Sequence, residues 1–245
     1  MMARNSDAQT DLARRATAEA VGTAMLVAAV VGSGIMGERL AGGNVALALL
    51  ANTVATGAAL VALILTFGHI SGAHFNPAVT LASASQRGLR WRDAGGYLAA
   101  QFAGALAGVC AAHLMFGEPL LAASRHAREG AAQLFSEFVA TFGLLSVVWG
   151  CARLQRTEAA PFAVAAYITA AYWFTSSTSF ANPAVTVARS LTDTFSGIRP
   201  GDVPGFVAAQ FIGAAAATLL FRWLVPSLPR DAGEVVMPHA EGTEE

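Results

Sequence analysis

Six long runs of apolar residues alternate with short polar segments along the chain. A bilayer core about 30 Å thick is crossed by about 20 apolar residues in a helix. Each run is long enough for one crossing, and the predicted spans cover residues 16–36, 45–67, 95–116, 132–152, 159–177 and 204–225. The pattern therefore predicts an all-α integral membrane protein with six transmembrane helices.

Two further segments, 69–86 and 178–193, are too short and too polar to span a bilayer. Each contains a moderately apolar helical pattern that follows a stretch rich in Gly or in Ser and Thr. Short interrupted segments at matching places in two halves of a membrane protein indicate re-entrant half-helices beside a pore. We therefore expect two half-helices in addition to the six spans.

The chain contains an internal repeat that is visible at three places in the same order. AEAVGTAML at 18–26 matches SEFVATFGL at 136–144, HFNPAVTLA at 74–82 matches FANPAVTVA at 180–188, and GYLAAQFAGA at 96–105 matches GFVAAQFIGA at 205–214. Each half holds three predicted spans and one half-helix. Because three is an odd number, the second half starts on the opposite side of the membrane, which predicts an inverted repeat.

The repeat defines one predicted membrane domain, residues 16–225, with halves at about 16–116 and 132–225. Residues 1–15 are predicted to be a cytoplasmic N-terminal segment, and the polar, acidic residues 226–245 a disordered cytoplasmic tail. An even number of spans places both termini on one side, and ten of the fifteen Arg residues fall in segments on that side. By the positive-inside rule, we expect cytoplasmic termini and a multi-pass protein of the cell (inner) membrane.

The composition excludes several classes of function. The chain is 55% hydrophobic and 13% charged, with a formal net charge of −1, whereas soluble domains are about 25% charged. A nearly neutral chain has no basic field to attract nucleic acid. Cys110 and Cys151 both lie in apolar runs and form no metal-binding or redox motif. We expect no cofactor, no metal and no nucleic-acid partner, with the lipid bilayer as the surroundings.

One triplet occurs in both halves, as Asn76-Pro77-Ala78 and Asn182-Pro183-Ala184. Asn is a strong helix N-cap, Pro is favoured at the first helical position, and Ala permits close approach. Each of these NPA triplets is therefore suited to begin a half-helix. Where two such helix starts meet near the midplane, the positive ends of both dipoles and two Asn amides face the lumen. A cation is repelled there, whereas a neutral solute that carries hydroxyl groups can pass.

This arrangement resembles the aquaporin and aquaglyceroporin family of channels. The resemblance covers about residues 16–225, and GHISGAHFNPAVT at 68–80 is close to the family's first-loop signature. It implies a passive channel for small uncharged solutes that excludes ions and protons. It also implies a homotetramer with one pore in each subunit.

Several residues are expected to support the loops. In the family, carboxylates at the places of Glu19 and Glu137 accept hydrogen bonds from the backbone of the re-entrant loops. Gln101 and Gln210 are expected to form hydrogen bonds between helices. His69 and His74 flank the turn before the first half-helix, and we expect both to buttress the loop rather than to bind a metal. Backbone carbonyls are expected to face the lumen at Gly72, Ala73, His74, Phe75, Thr178, Ser179, Phe180 and Ala181.

The resemblance also locates a selectivity filter. The family's narrowest constriction uses four side chains, one of them usually an Arg directly after the second NPA triplet, and here that residue is Val185. Matching of motifs places the other three at Thr56, Tyr172 and Ser179. The filter is therefore expected to be wider and less polar than that of a strict water channel. Arg189 is expected either to pair with a neighbouring carboxylate or loop carbonyl, or to replace the missing Arg.

The expected solutes follow from the same position. The common glycerol-channel variant has an Asp after the filter Arg, and here the residue is Thr186. Val185 resembles a bacterial branch of aquaglyceroporin-like channels associated with arsenic resistance, which conduct trivalent arsenic as a neutral hydroxide. We therefore expect glycerol-like polyols, metalloid hydroxides such as arsenite, and water. A water-selective aquaporin with an unusual filter is the alternative.

Other classes of function make different demands on the sequence. A coupled transporter would need further ionisable relays within its spans, and a structural or adhesive tetramer would conduct no solute. An enzyme is not expected, because no nucleophile with its base and no cluster of metal ligands converges in the sequence.

Overall fold

The computed structural model describes residues 11–153 and 157–226. Most of the predicted N-terminal segment and the predicted tail from residue 227 onward lie outside the described residues. The described part is helical, with α1 (Leu12–Leu40), α2 (Val45–Ser71), α3 (Pro77–Ser85), α4 (Trp91–Phe116), α5 (Ala131–Arg153), α6 (Ala160–Phe174), α7 (Pro183–Arg189) and α8 (Val203–Leu224). Single turns of 3₁₀-helix at Thr157–Ala159 and Pro200–Asp202 precede α6 and α8.

The predicted order of two spans, one half-helix and one span in each half is confirmed. In the part that the structure describes, α1, α2, α4, α5 and α8 are long and apolar enough to cross a membrane. The fifth predicted span, 159–177, corresponds to α6, which is apolar but has only 15 residues. It ends early because Thr175 has an extended backbone (φ −109°, ψ 137°), so residues 175–177 belong to the connection instead of the span.

The two half-helices begin at the NPA triplets. Asn76 Oδ1 accepts a hydrogen bond from Ala78 N at 2.9 Å, which caps α3. Asn182 Oδ1 accepts from Ala184 N at 3.0 Å and from Val185 N at 3.3 Å, which caps α7. Because the side-chain oxygen satisfies N–H groups that lack a partner within the helix, each short helix starts at a defined residue. The first predicted re-entrant segment, 69–86, overlaps the end of α2, which extends through Ser71. Its half-helix, α3, begins at Pro77.

The halves pack in the same way. α1 lies along α4 and α2, and α5 lies along α8 and α6. α2 contacts α6 between the halves, and both half-helices contact α4 as well as α8. The half-helices therefore fill the space between the two sets of spans.

Glycines allow the closest helix contacts. Gly104 and Gly108 of α4 leave room for the carbonyl groups of Ala20 and Ala24 of α1. At the equivalent place in the second half, Gly213 of α8 faces the carbonyl of Phe138 in α5. Small residues permit such contacts in a membrane, where packing rather than the hydrophobic effect drives helices together.

We expect Gly104→Ala to destabilise the protein, because the new methyl group would meet the backbone carbonyl of Ala20. Overpacking of this kind costs about 1–3 kcal/mol. The control is Gly95→Ala in the same helix, where a methyl group meets no atom within 4 Å. Thermal unfolding in detergent should show a lower midpoint for Gly104→Ala alone. Equal midpoints for the two variants would contradict the close packing.

Candidate functional site

The segments that lead into the half-helices have an unusual backbone conformation. Positive φ angles occur at Ala73 (48°), Phe75 (48°), Thr178 (61°), Ser179 (51°) and Ala181 (48°). Left-handed conformations at residues other than Gly cost about 1–3 kcal/mol each and persist only where the surroundings fix them. Something must therefore hold these segments, residues 72–76 and 177–182, in place.

In the first half, the fully buried carboxylate of Glu19 holds the segment. Its Oε1 accepts hydrogen bonds from His74 N at 2.9 Å and from Ser71 Oγ at 2.7 Å. Its Oε2 accepts from Phe75 N at 2.6 Å and from Gln101 Nε2 at 2.8 Å. Four donors thus satisfy one buried charge, as a carboxylate in a low-dielectric interior requires.

Glu137 has the equivalent place and contacts in the second half, and it too is fully buried. Its Oε1 accepts from Phe180 N at 2.9 Å. Its Oε2 accepts from Ala181 N at 2.9 Å and from Gln210 Nε2 at 2.6 Å. The two carboxylates therefore support the two segments in the same manner.

Each glutamine extends this support to a half-helix. Gln101 Nε2 also donates to Thr80 Oγ1, and Gln210 Nε2 to Thr186 Oγ1, both at 2.8 Å. In each half, two spans, a segment and a half-helix are thereby joined in one hydrogen-bonded unit.

The two Asn side chains connect the halves. Asn76 Nδ2 donates to the carbonyl of Ala181, and Asn182 Nδ2 to the carbonyl of Phe75, both at 2.7 Å. Each amide group retains a second N–H for another acceptor. The sequence predicts these two carbonyls as acceptors for solute, but one lone pair of each is used by the opposite Asn. The sequence did not reveal this use of the two carbonyls, because each hydrogen bond joins residues of different halves that are far apart in the chain.

A narrow cavity of about 70 Å³ lies between the segments and the spans. The residues predicted from the sequence that line it are Thr56, Tyr172, Ser179, Val185, Asn76, Asn182, Ala73, His74, Phe75, Phe180, Ala181 and Arg189. Among the predicted carbonyl residues, Gly72 and Thr178 are not part of this lining. That their carbonyls face the lumen stays a prediction.

Much of the apolar lining was not predicted. Besides Val79 on α3, this part consists of one pair of residues on each of four spans: Leu26 and Val30 on α1, Leu60 and Ile64 on α2, Leu144 and Val148 on α5, and Val164 and Ile168 on α6. Residues four positions apart share a helix face. The recurrence of these pairs at matching places in the two halves is the signal that could have revealed them.

The four predicted filter residues all reach this cavity. Tyr172 Oη donates to Thr56 Oγ1 at 3.3 Å, so these two side chains are adjacent although they are far apart in the chain. Ser179 Oγ is buried and has no hydrogen-bond partner among the described residues. Val185 contributes an apolar side chain at the first turn of α7.

Arg189 also reaches the cavity, from the last turn of α7. Its Nε donates to the carbonyl of Ser196. Its Cζ lies 3.4 Å from the centroid of the Phe180 ring, which is a cation–π contact. Arg189 therefore combines a bond to a loop carbonyl with a position in the cavity lining.

A second buried arginine lies beside it and was not singled out from the sequence. Arg128, in the connection between α4 and α5, donates from Nε to the carbonyl of Gly197 at 2.8 Å and from Nη1 to that of Ser177 at 3.1 Å. Its Cζ lies 4.9 Å from the centroid of the Phe180 ring. Burial lowers the pKa of the Arg128 guanidinium. Both arginines therefore bring charge to the same end of the cavity.

The two histidines near the first half-helix differ. His74 is buried, with Nδ1 3.1 Å from Thr80 Oγ1 and its ring edge-on to that of Tyr97. His69 is exposed on α2, so the expectation that it buttresses the loop is wrong. It points away because α2 continues as a regular helix past this residue. Among the described residues, no group of three or more His, Cys, Asp or Glu residues could hold a metal.

The lining of the cavity defines a class of protein. Three helices of membrane-crossing length, α1, α2 and α5, and the shorter apolar α6 enclose it. Its polar lining residues supply hydroxyls, amides and backbone carbonyls, together with His74 and the guanidinium of Arg189. Such groups can replace the hydrogen bonds that a small neutral molecule makes with water, at a depth where irregular backbone is tolerated only beside a cavity. These features are those of a membrane channel.

The chain is similar to known channel proteins. The family model described as Major intrinsic protein matches residues 7–174. Aquaglyceroporin AqpS of Rhizobium meliloti (strain 1021) is 58% identical over 220 residues, which are 89% of this chain and 94% of that protein. Aquaporin NIP1-3 of Oryza sativa subsp. japonica is 35% identical over 221 residues, which are 86% of this chain and 73% of that protein.

The fold is similar to that in the X-ray structure of the aquaglyceroporin from Plasmodium falciparum. The TM-score is 0.68 at 18% sequence identity, with 89% of this chain and 99% of the other covered. The chain belongs to the major intrinsic protein family. It is a multi-pass membrane channel for small neutral solutes and not an enzyme.

We expect Glu137→Gln to loosen the second segment. The carboxylate uses both oxygens to accept from Phe180 N and Ala181 N, whereas Gln offers one oxygen and would present an NH₂ group to the other donor. Loss of a hydrogen bond to a charged group costs about 1.5–3 kcal/mol. Hydrogen–deuterium exchange of peptides covering residues 177–182 should become faster. Glu158→Gln, at an exposed residue, is the control, and equal exchange in both variants would refute the supporting role.

Proposed function

We propose that the channel conducts glycerol-like polyols and metalloid hydroxides such as arsenite, together with water. One observation carries the proposal: Val185, directly after the second NPA triplet, lines the cavity at the place where water-selective members have an Arg. A short apolar side chain leaves more room than a guanidinium and removes its donors. The printed name of AqpS, an aquaglyceroporin, supports the same class of solute.

The proposed pathway suits a solute with both hydroxyl and hydrocarbon surfaces. Hydroxyl groups of a polyol would exchange hydrogen bonds with Ser179 Oγ and with the free lone pairs of the segment carbonyls. Its carbon atoms would pass along the apolar pairs of the four spans. A lining that is mostly apolar, with a few placed polar groups, is typical of sites for small neutral molecules.

In this proposal, the two NPA triplets form the middle of the pathway. Asn76 and Asn182 are fixed by their bonds to opposite carbonyls, and each keeps one N–H for a passing oxygen. Because both amides can only donate there, a water or hydroxyl oxygen would be oriented with its lone pairs toward them. This orientation would interrupt a continuous chain of hydrogen bonds and oppose proton transfer.

We further propose a homotetramer in the inner membrane, with both termini in the cytoplasm and with one pore for each subunit. The distribution of Arg between the two sides supports this orientation. Exposed large apolar side chains on α1, α2, α6 and α8, such as Val54, Phe162 and Leu219, support contact with lipid or with neighbouring subunits.

Water-selective conduction is the alternative. Tyr172 and Arg189 both line the cavity, and their bulk would occupy part of the space that the missing filter Arg leaves. If they narrow the pathway enough, water passes and glycerol does not.

The direct test is stopped-flow light scattering on proteoliposomes, first with sucrose and then with a glycerol gradient. We expect glycerol-driven re-swelling, and we expect Val185→Arg to slow it by about tenfold, equivalent to about 1.4 kcal/mol in the barrier. Val185→Ala, which removes bulk instead of adding it, is the control and should conduct glycerol at least as well as the natural protein. Arsenite uptake into the same vesicles is the next assay.

The other outcomes identify the competing functions. Water flux without glycerol flux would support the water-selective alternative. Uptake that requires a proton or sodium gradient would indicate a coupled transporter. Absence of flux for every solute would favour a structural tetramer.

The orientation has its own test. A fluorescent protein fused after Glu245 should fluoresce, since it matures in the cytoplasm, and an alkaline phosphatase fused there should be inactive, since it needs the periplasm. The control fusion is inserted at Gly43, in the connection between α1 and α2, which the proposed topology places on the other side. The reverse pattern of activities would overturn the proposed orientation.

A further inference from the structure

The two halves differ at one end of the cavity, although they agree closely elsewhere. In the first half, His74 packs edge-on against Tyr97, with ring centroids 5.4 Å apart. The equivalent rings in the second half are Phe180 and Phe206, which pack edge-on at 5.3 Å. The packing of rings is thus retained while their polar atoms are lost in the second half.

An arginine takes over one of the lost contacts. The hydroxyl of Tyr97 donates to the carbonyl of Ser71 at 2.8 Å. Phe206 has no hydroxyl, and the equivalent carbonyl, that of Ser177, accepts from Arg128 Nη1 at 3.1 Å instead. A neutral donor in one half is therefore replaced by a cationic donor in the other.

A second arginine appears at the same end. By the register of the NPA triplets, Arg189 of α7 corresponds to Ser83 of α3. Arg189 and Arg128 are only 2% and 9% exposed, and both contact the ring of Phe180. The second half thus carries two buried guanidinium groups beside Phe180. In the described part of the first half, the buried guanidinium is that of Arg15, and it forms an ion pair with Asp93 at 2.9 Å.

These two charges are not neutralised by ion pairs. In the described part of the chain, their hydrogen-bond acceptors are backbone carbonyls and one hydroxyl, and neither forms a salt bridge. Glu137 interacts with them only at longer range, and its oxygens accept from backbone N–H groups and Gln210. Buried charges normally have partners, and an ionisable residue within a membrane protein indicates function by default.

N–H groups of Arg189 without an acceptor indicate that its function lies in the cavity. Arg189 lines the cavity, and its Nε is bonded to Ser196. Its two terminal nitrogens carry four N–H groups, for which the described residues provide no acceptor. Ser179 lines the same cavity and is only 3% exposed. Its Oγ likewise has no hydrogen-bond partner among the described residues. Two independent side chains therefore offer hydrogen bonds to whatever occupies this part of the cavity.

The charges of Arg128 and Arg189 also act on a neighbouring histidine. His126, in the connection that also carries Arg128, has its pKa lowered by burial and by the charges of Arg128 and Arg189, against an opposing effect of Asp193. The charges of Arg128 and Arg189 therefore act on an exposed side chain at this end of the protein.

We propose that Arg189 is the cationic residue of this channel's filter, displaced from position 185 by one helical turn, or about 6 Å along the axis. The inference rests on the proposed function, in which solutes pass through this cavity. Arg189 donates to the oxygens of a passing solute and repels cations, with Arg128 adding a second charge behind it. Val185 provides the width. In the usual filter of the family, one Arg directly after the second NPA triplet provides both the charge and the constriction. Here the charge is assigned to Arg189 and the width to Val185.

The test compares cation leak with glycerol flux in the same proteoliposomes. We expect Arg189→Gln, which removes the charge and leaves a shorter side chain with an amide donor, to raise proton and methylammonium leak by about tenfold or more. Glycerol re-swelling of the same vesicles shows whether the variant still forms an open pore. The matched control is Arg125→Gln, since Arg125 belongs to the same connection as Arg128, with its side chain 90% exposed and paired with Asp193. We expect the leak of this control to equal that of the natural protein.

A charge swap separates a filter role from a structural one. In Val185→Arg combined with Arg189→Gln, cation exclusion should be restored, because the charge returns to the pathway one turn away. A purely structural role of Arg189 would not be rescued in this way. If Arg189→Gln fails to insert into membranes, the swap variant and Arg189→Lys, which keeps the charge, decide the question, and both should exclude cations.

Specific results would overturn the inference. It fails if the natural protein conducts glycerol while Arg189→Gln conducts glycerol with no added leak, if Arg125→Gln leaks equally, or if the swap variant leaks. Failure of the proposed function looks different, because the natural protein itself would then conduct no glycerol.

Discussion

The buried carboxylates of Glu19 and Glu137 hold the two re-entrant segments on which the site depends. The re-entrant segments contain five residues other than Gly in left-handed conformations, a backbone that a free chain of this sequence would not maintain. Glu19 and Glu137 accept the N–H groups that this conformation turns away from the cavity. Because these N–H groups are engaged on the far side, the carbonyl groups can be directed toward the lumen. The proposed pathway therefore depends on charges that no solute touches.

The parts of the site that sequence reasoning predicted are those encoded locally and twice. Helix caps and first-turn prolines belong to single triplets, and the repeat places them in register, so Asn76 and Asn182 could be located without coordinates. The four proposed filter residues were placed by counting from such motifs, and all four line one cavity. The prediction was weaker where no motif sets a boundary, as at the early end of α6.

The remaining features depend on contacts between distant parts of the chain. Arg128 reaches carbonyls 49 and 69 residues away, and nothing in its immediate sequence distinguishes it from an exposed loop arginine. The apolar lining was hidden for another reason. In a membrane span, a face that meets lipid and a face that meets the lumen can both be apolar. Hydropathy alone therefore cannot separate Leu26 or Ile168 from residues that face the bilayer.

The reciprocal bonds of the two Asn side chains have a mechanical consequence. Each amide donates to a carbonyl of the opposite half, so the two hydrogen bonds join the two copies of the repeat at the middle of the pathway. Widening the middle of the pathway would require the two halves to separate and both hydrogen bonds to break together. A conformational change that opens and closes this protein must accordingly occur at the ends of the pathway, where single loops can move while both hydrogen bonds remain.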